Sequence, residues 1–397
     1  MSSTLKVNGI QAVSGTANAI SLTASDKTCT ANITNNLSNR NLIINGAMNV
    51  AQRATSATTT TGIFVTDRFK SAIVGADEAS TTAQVALTSS DTGPWAKGFR
   101  NALQITNGNQ TSGAGDGDTQ QITYTVEAQD IAQSGWDYTS ASSYITLSFW
   151  VKSSVAQNFY GYLRSEDGTK QLYAIETGSL SANTWTKVTK TIPGATNVQF
   201  DNDNESGLLF CLYAFEGADK TDAGQGLNSW GAYSSSSRTP VNTSTWWTTN
   251  DSTFAITGVQ LEVSDYATEF EHRKFQDELL RCQRYYLVWA DATDAGEDEP
   301  IGSAWYNSGS YSFLTDCRFP VEMRIHPSVV SKNATNAFRA YGGGAGGEYF
   351  SQINFTEQIT NRIARVGGTV SLDTSGKGVG IRAHTSGSGY LHFDAEL

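Results

Sequence analysis

Ile145-Thr146-Leu147-Ser148-Phe149-Trp150-Val151 alternates apolar with polar positions. A period of two is the signature of a half-buried strand, because successive side chains of a strand point to opposite faces. Trp150, beside Phe149, is read as a core residue. Outward from this stretch the same pattern recurs in Ile122-Thr123-Tyr124-Thr125-Val126 and in Trp185-Thr186-Lys187-Val188-Thr189-Lys190-Thr191-Ile192. Turn signals separate the strands: Asn107-Gly108, Glu166-Asp167-Gly168 and Pro193-Gly194. Leu208-Leu209-Phe210-Cys211-Leu212-Tyr213-Ala214-Phe215 is the longest apolar run. It suits a fully buried strand and falls far short of the ~20 residues a membrane helix needs. Many short strands with no helical period between them predict a sandwich or barrel over residues 41–270.

The pattern changes at 269–284. Phe270, Phe275, Leu279, Leu280 and Cys282 sit among Lys, Arg, Glu, Asp and Gln, residues of high helix propensity. A helix is expected over 271–285, with Phe275, Leu279 and Cys282 on its buried face. Residues 286–397 return to strands, as in Phe313-Leu314-Thr315-Asp316-Cys317-Arg318-Phe319 and Val379-Gly380-Ile381-Arg382-Ala383, with a glycine-rich loop at 342–347. Residues 1–40 are small and polar. Leu5 and Val7 alternate like a strand, yet the segment has too few apolar residues to close a core of its own. It is expected to order by pairing with other chains.

The chain of 397 residues suits two or three domains. Its net charge of −11 and the absence of a basic run argue against nucleic-acid binding, which draws on clustered Lys and Arg. Cys29, Cys211, Cys282 and Cys317 are far apart, without CxxC spacing, and are read as free thiols of a reducing compartment. No apolar h-region follows Met1-Ser2-Ser3-Thr4-Leu5-Lys6, so no export signal and no membrane insertion are expected.

Two bookends frame the strand-rich region. The first is Asn41-Leu42-Ile43-Ile44-Asn45-Gly46-Ala47-Met48-Asn49-Val50-Ala51-Gln52-Arg53 with Thr66-Asp67-Arg68-Phe69. The second is Thr257-Gly258-Val259-Gln260-Leu261-Glu262-Val263, then Phe270-Glu271-His272-Arg273, then Leu280-Arg281-Cys282-Gln283-Arg284-Tyr285-Tyr286. Together they resemble the boundaries of a module of bacteriophage tail-fibre and other virion appendage proteins, of the marine and cyanobacterial phage type. Leu5-Lys6-Val7-Asn8-Gly9-Ile10-Gln11 looks like the attachment end of such fibres, and Phe319-Pro320-Val321-Glu322-Met323-Arg324 resembles their linker into a final strand-rich module. The resemblance implies an all-β chain. Residues 1–40 would be an N-terminal attachment and oligomerisation segment, and 41–270 a jelly-roll β-sandwich similar to carbohydrate-binding modules. A connecting helix would occupy 271–285 and a C-terminal β-rich domain 286–397. It further implies a homotrimeric fibre in the virion, joined to other tail or head proteins through its N-terminus and recognising a host-surface glycan. A virion protein released by lysis needs no export signal. A purely structural virion protein is the second reading and a polysaccharide depolymerase the third.

No nucleotide, zincin or serine-hydrolase signature occurs. Asp116 with Asp118, Asp201 with Asp203 and Glu205, and Glu297 with Asp298 and Glu299 are the carboxylate pairs a glycosidase would need, but all lie in turn-like stretches. No enzyme is expected. Asp201-Asn202-Asp203-Asn204-Glu205 begins like a calcium loop but has Ser206 and Leu212 where an EF-hand needs Gly and Glu. The resemblance leaves a structural calcium open, with no ligands placed and no other cofactor. His272 is read as packing, while His392 would meet its own copies on a threefold axis. The binding candidates are aromatic: Trp230 and Tyr233, then Trp246 and Trp247, with Asn250 and Asp251 beside them. Sugar rings pack their C–H faces on indole and phenol rings, while Asn and Asp bond the hydroxyls. Against this stands the tendency of Trp to fill cores.

Overall fold

The computed structural model describes residues 9–10, 20–22, 29–31, 39–241, 244–293, 297–305, 313–342, 345–353, 355–357, 359–369 and 378–397. The expected strand at Leu5 and Val7 lies outside the described residues. Within 1–40, β1 (Gly9–Ile10), β2 (Ile20–Leu22) and β3 (Cys29–Ala31) pair antiparallel.

The protein is all-β. Its larger part is a jelly-roll sandwich of β4 (Ser56–Thr59), β5 (Ile63–Phe64), β6 (Lys70–Val74), β7 (Ser80–Ala86), β8 (Asn101–Thr106), β9 (Thr119–Glu127), β10 (Tyr144–Ser153), β11 (Asn158–Ser165), β12 (Gln171–Ser179), β13 (Thr186–Pro193), β14 (Ser206–Glu216), β15 (Trp230–Ala232) and β16 (Thr253–Val263). A six-stranded sheet has the order β13-β10-β16-β8-β7-β4, and a seven-stranded sheet the order β15-β12-β11-β14-β9-β6-β5. The alternating stretches become β9, β10 and β13, and their apolar positions meet between the sheets. Phe149 of β10 lies 5.7 Å from Phe210 of β14, and Phe159 of β11 lies 4.8 Å from Phe254 of β16. Trp150 is not in this core. The period of two that points Phe149 inward points Trp150 to the outer face, where it is half-buried beside Trp95 and Trp185. Gly93 lies on its ring, and a Cβ there would come within 2.6 Å.

The two bookends are one structure. Leu42 N–H donates to the Leu261 carbonyl at 2.9 Å, and Val259 N–H to the Gly46 carbonyl at 2.9 Å. The Asn41 carboxamide accepts from Leu261 and Ile43 N–H, both at 3.0 Å, and donates to the Val259 carbonyl. Glu271 accepts from Asn41 N–H at 2.8 Å, and Arg273 donates to the Asn41 and Ile43 carbonyls. These bonds leave little freedom at Asn41, Gly46, Glu271 or Arg273.

They also explain why the helix is shorter than expected. It is preceded by α1 (Ala128–Ala132), which the sequence did not announce, and begins only at Phe275: α2 (Phe275–Gln283). Residues 271–274 are held in the clasp. Phe275 is 57% exposed and Leu279 half-buried. The buried face is Glu278 and Cys282, four apart. Glu278 accepts from the Asn45 N–H at 2.5 Å, so polar contact with the first bookend, not an apolar seam, orients α2.

The C-terminal region has its own apolar cluster, from Leu287 to Ala395. Its sheets are β17-β26-β20, β18-β25-β21-β22 and β19-β24-β23, built from β17 (Tyr286–Asp291), β18 (Glu299–Trp305), β19 (Phe313–Arg318), β20 (Ser328–Ser331), β21 (Phe338–Gly342), β22 (Ala345–Phe350), β23 (Phe355–Glu357), β24 (Ile363–Gly368), β25 (Gly378–Ala383) and β26 (Tyr390–Asp394). Charged groups join it to the sandwich. Glu127 receives Arg284 twice at 2.7 Å and the Tyr285 hydroxyl at 2.5 Å. Burial alone would raise the Glu127 carboxyl, but these donors hold it below the usual range. Arg324 donates to the Asn204 carbonyl at 3.0 Å. His392 is buried within its own chain, 2.7 Å from the Tyr286 hydroxyl and 3.3 Å from Asp291, and so does not meet copies of itself. Cys211, Cys282 and Cys317 are buried free thiols.

Candidate functional site

The six aromatic and polar candidates do not form one site. Trp246 and Trp247 are 0% exposed. The Trp246 indole donates to the Thr253 carbonyl at 3.0 Å and that of Trp247 to the Gly113 carbonyl at 2.9 Å. Trp247 also packs 5.0 Å from Phe215. Buried polar donors need partners, and both indoles have theirs inside the chain, so neither ring offers a face to a ligand. Asn250 and Asp251 are exposed in the turn before β16, where Asp251 has φ +55°. Trp230 is half-buried. It lies 5.3 Å from Tyr173 and donates to the Pro193 carbonyl at 2.7 Å. Since β13 and β15 are edge strands of opposite sheets, this indole seals the open edge of the sandwich.

Tyr233 belongs to a third place, the outer face of the seven-stranded sheet. Residues 217–241 fold back over that face. Tyr233 and Leu227 pack there on Tyr162, Leu172, Ala174, Cys211 and Tyr213, and the Arg164 guanidinium sits 4.4 Å from the Tyr233 ring. Thr239 fastens the segment by donating to Glu216 at 2.7 Å, and Arg238 donates to the Tyr213 hydroxyl at 3.0 Å. Glu216 is buried, and burial pushes its carboxyl up to about 7 from 4.5. A carboxyl raised on folding stabilises the fold below its unfolded pKa, and that contribution is lost as pH rises through the folded one. Melting should therefore fall between pH 5 and pH 8 through this group, by at most about 3 kcal/mol. Glu216→Gln should raise the melting temperature at pH 8 and leave it little changed at pH 4.5. An identical effect at both pH values would show that Glu216 does not titrate in this window.

Asp201-Asn202-Asp203-Asn204-Glu205 forms a turn that docks the C-terminal region. Asp203 accepts from Glu205 N–H at 3.0 Å, and the Asn204 carboxamide donates to the Arg324 carbonyl. Among the described residues no group of three or more His, Cys, Asp or Glu side chains converges to hold a metal ion.

The surface with binding chemistry is a groove of about 630 Å³ lined by Tyr138, Thr139, Thr169, Gln171, Thr196, Asn197, Val198 and Gln199. Three connections build it: the loop after α1, the β11–β12 turn and the β13–β14 loop. Each is fixed from inside. Ala195 N–H donates to the Tyr138 carbonyl at 2.8 Å, and Gly194 N–H to the Ser143 carbonyl at 2.9 Å. A Cβ at Gly194 would sit 2.5 Å from the Tyr138 carbonyl oxygen, so only glycine lets the two loops meet. A Cβ at Gly168, at φ +58°, would come within 2.7 Å of the Gln199 carboxamide oxygen. Tyr138 is half-buried with its ring edge-on to Phe200 at 5.0 Å. Asn197 donates to Gln171 at 2.5 Å, Gln171 to the Thr169 carbonyl at 2.8 Å, and Gln199 to Asp201 at 3.1 Å. A carboxamide carries two donors and an acceptor, so the one internal bond at each of the exposed Asn197 and Gln199 orients it and leaves capacity for a ligand, while buried Gln171, bonded at both ends, holds Asn197 in place.

No charged side chain lines the groove. It offers a tyrosine, hydroxyls and carboxamides, which is the chemistry of a neutral polyol. None of these residues was singled out from the sequence. The turn signals at Glu166-Asp167-Gly168 and Pro193-Gly194 marked two of its walls, but not their meeting.

No protein family matches the chain, and no curated protein matches it in sequence. Solved structures similar to it include the enzymatically active domain of bacteriophage CBA120 tailspike protein 4, at 11% identity and TM-score 0.27 over 56% of this chain and 21% of that one. A family 11 carbohydrate-binding module from Clostridium thermocellum, in complex with a β-1,3-1,4-mixed-linked tetrasaccharide, is similar at 13% and 0.23 over 55% and 99%. A CBM22-1 xylan-binding domain from Paenibacillus barcinonensis is similar at 10% and 0.24 over 57% and 96%. The chain thus spans about a fifth of the tailspike chain's length. Scores this low transfer neither an activity nor a ligand.

Proposed function

We propose that this chain is a glycan-recognising subunit of a phage virion fibre, binding a neutral saccharide of the host surface in the groove of Tyr138, Gln171, Asn197 and Gln199. The observation that carries the reading is the groove itself: an uncharged, carboxamide- and hydroxyl-lined trough with an aromatic wall, built on rigid connections of a sandwich. Carboxamides bond hydroxyls without demanding a charge, and apolar ring faces take up sugar C–H groups. The fibre context rests on the bookend residues and their resemblance to the boundaries of the phage module. Assembly as a homotrimer, with residues 1–40 ordering against other chains and joining further virion proteins, belongs to the same proposal. A mass measurement on the purified protein should give three copies per particle, and a monomer with an ordered N-terminus would contradict that part.

Binding rather than hydrolysis is proposed because members of each candidate carboxylate set are spent on local structure. Glu299 opens β18 rather than lying in a turn, and accepts from Asp291 N–H at 2.8 Å. Asp118 accepts from Gly115 N–H at 2.6 Å, and Asp203 caps Glu205. A glycan array probed with the wild-type protein and with Asn197→Ala tests the reading. Neutral glycans should be retained by the wild type and bound more weakly by the variant, by about 1 kcal/mol for one lost hydrogen bond from this exposed carboxamide, with the melting temperature little changed. Equal retention by both proteins removes the groove from recognition. Retention by neither favours a purely structural subunit.

A further inference from the structure

We infer that the chain has a second saccharide site, selective for an acidic sugar of the uronate class, in the cleft between the first bookend, the end of α1 and helix α2. This cleft of about 510 Å³ is lined by residues 39–42 and Ile44, by Asp130 and 133–135, by Glu262 and Val263, and by Arg281. It differs from the groove in being charged and in sharing no residue with it.

The charges sort themselves by their partners. Glu262 is buried and accepts from Thr268 N–H at 2.9 Å and from its hydroxyl at 2.7 Å, with Arg40 at 3.6 Å. Arg40 donates to the Thr268 hydroxyl at 2.9 Å and to the Glu269 carbonyl. These two are framework. Arg281, half-buried in the last turn of α2, donates through one nitrogen to the Asn39 carboxamide at 2.7 Å. A guanidinium carries five N–H donors in a planar fork, so this bond aims the group and leaves donors for a carboxylate. Asp130 supplies an acceptor for hydroxyls, and Gln133 and Ser134 supply polar groups at the rim. Leu42, Ile44 and Val263 give an apolar wall for a ring face.

A uronate meets all of these at once. Its carboxylate takes the Arg281 fork, its hydroxyls donate to Asp130, and its C–H face lies on the apolar wall. A phosphate, doubly charged, would suffer more from Asp130 and Glu262. A protein of net charge −11 repels anionic polymers at long range, so a local arginine is what would single out a carboxylated residue.

Methyl glucuronide and methyl glucoside differ at one carbon and separate this site from the neutral groove. Titrated by NMR into the full chain, the glucuronide should bind about tenfold more tightly, as a charge-assisted bidentate contact requires. Arg281→Gln should abolish the difference and Arg281→Lys should keep part of it, since lysine retains the charge but not the fork. Gln133→Trp, at an exposed position, should fill the cleft and block the glucuronide. Asn197→Ala, in the groove, should leave the glucuronide affinity unchanged even if it abolishes neutral binding. Equal affinity for the two glycosides, absence of glucuronide binding, or a preference that survives in a folded Arg281→Gln protein would each overturn the inference.

Discussion

Gly46→Ala is expected to shift the urea midpoint of unfolding further than any conservative change on the surface. A Cβ at position 46 would lie 2.0 Å from the Val259 carbonyl oxygen and 3.1 Å from its carbon. Nothing flexible can give way, because the obstacle is backbone of β16, and Val259 N–H is itself bonded to the Gly46 carbonyl. Relief requires the bookends to part, breaking the bonds of Asn41 and Leu42 with them. The cost is expected to be about 4 kcal/mol or more, in the exceptional range for one methyl group. Gly231→Ala is the matched control. A Cβ there meets nothing within 4 Å, and the change should stay within about 0.5 kcal/mol. Equal midpoints for the two variants would mean that the first bookend does not lie against β16.

Trp246→Ala should come next, at about 3–5 kcal/mol, as for other buried aromatics cut to alanine. The indole is fully buried and its N–H is bonded to the Thr253 carbonyl, so truncation opens a large cavity and orphans an acceptor. Asn250→Ala, four residues on and exposed, should be nearly neutral. The pair separates a core tryptophan from a ligand platform. Normal melting of Trp246→Ala with loss of glycan binding would reverse the assignment made from burial.

Strand identity was legible because it is local. The period of two at 145–151 and 185–192 needs only neighbouring residues, and both stretches lie in sandwich strands. Trp150 lies outside the main core although its size and its neighbour Phe149 suggest it, because the same period of two turns it to the other face. Residues 217–241 and α1 show the opposite limit. They lie over a face, or against one, that only distant strands create, and their own pattern is weak. Helix 271–285 was legible as a helix but not in its extent. Glu271 and Arg273 have good helix propensity, yet their side chains are bonded to Asn39, Asn41 and Ile43, and tertiary contact overrode propensity. The groove was least legible of all. Its carboxamides and threonines are ordinary turn residues along the chain, and become a surface only because Gly194 lets two loops touch.

The claim that this groove binds neutral saccharide is tested most directly by the side-chain amide resonances of Gln171, Asn197 and Gln199 during titration with an array-positive neutral oligosaccharide, at low and at high salt. Screening weakens charged contacts only. The account predicts that these resonances shift saturably, with an affinity that salt leaves unchanged, while the Arg281 side-chain signal stays in place. Silent carboxamides in the presence of a bound neutral glycan, or an affinity that collapses with salt, would contradict it.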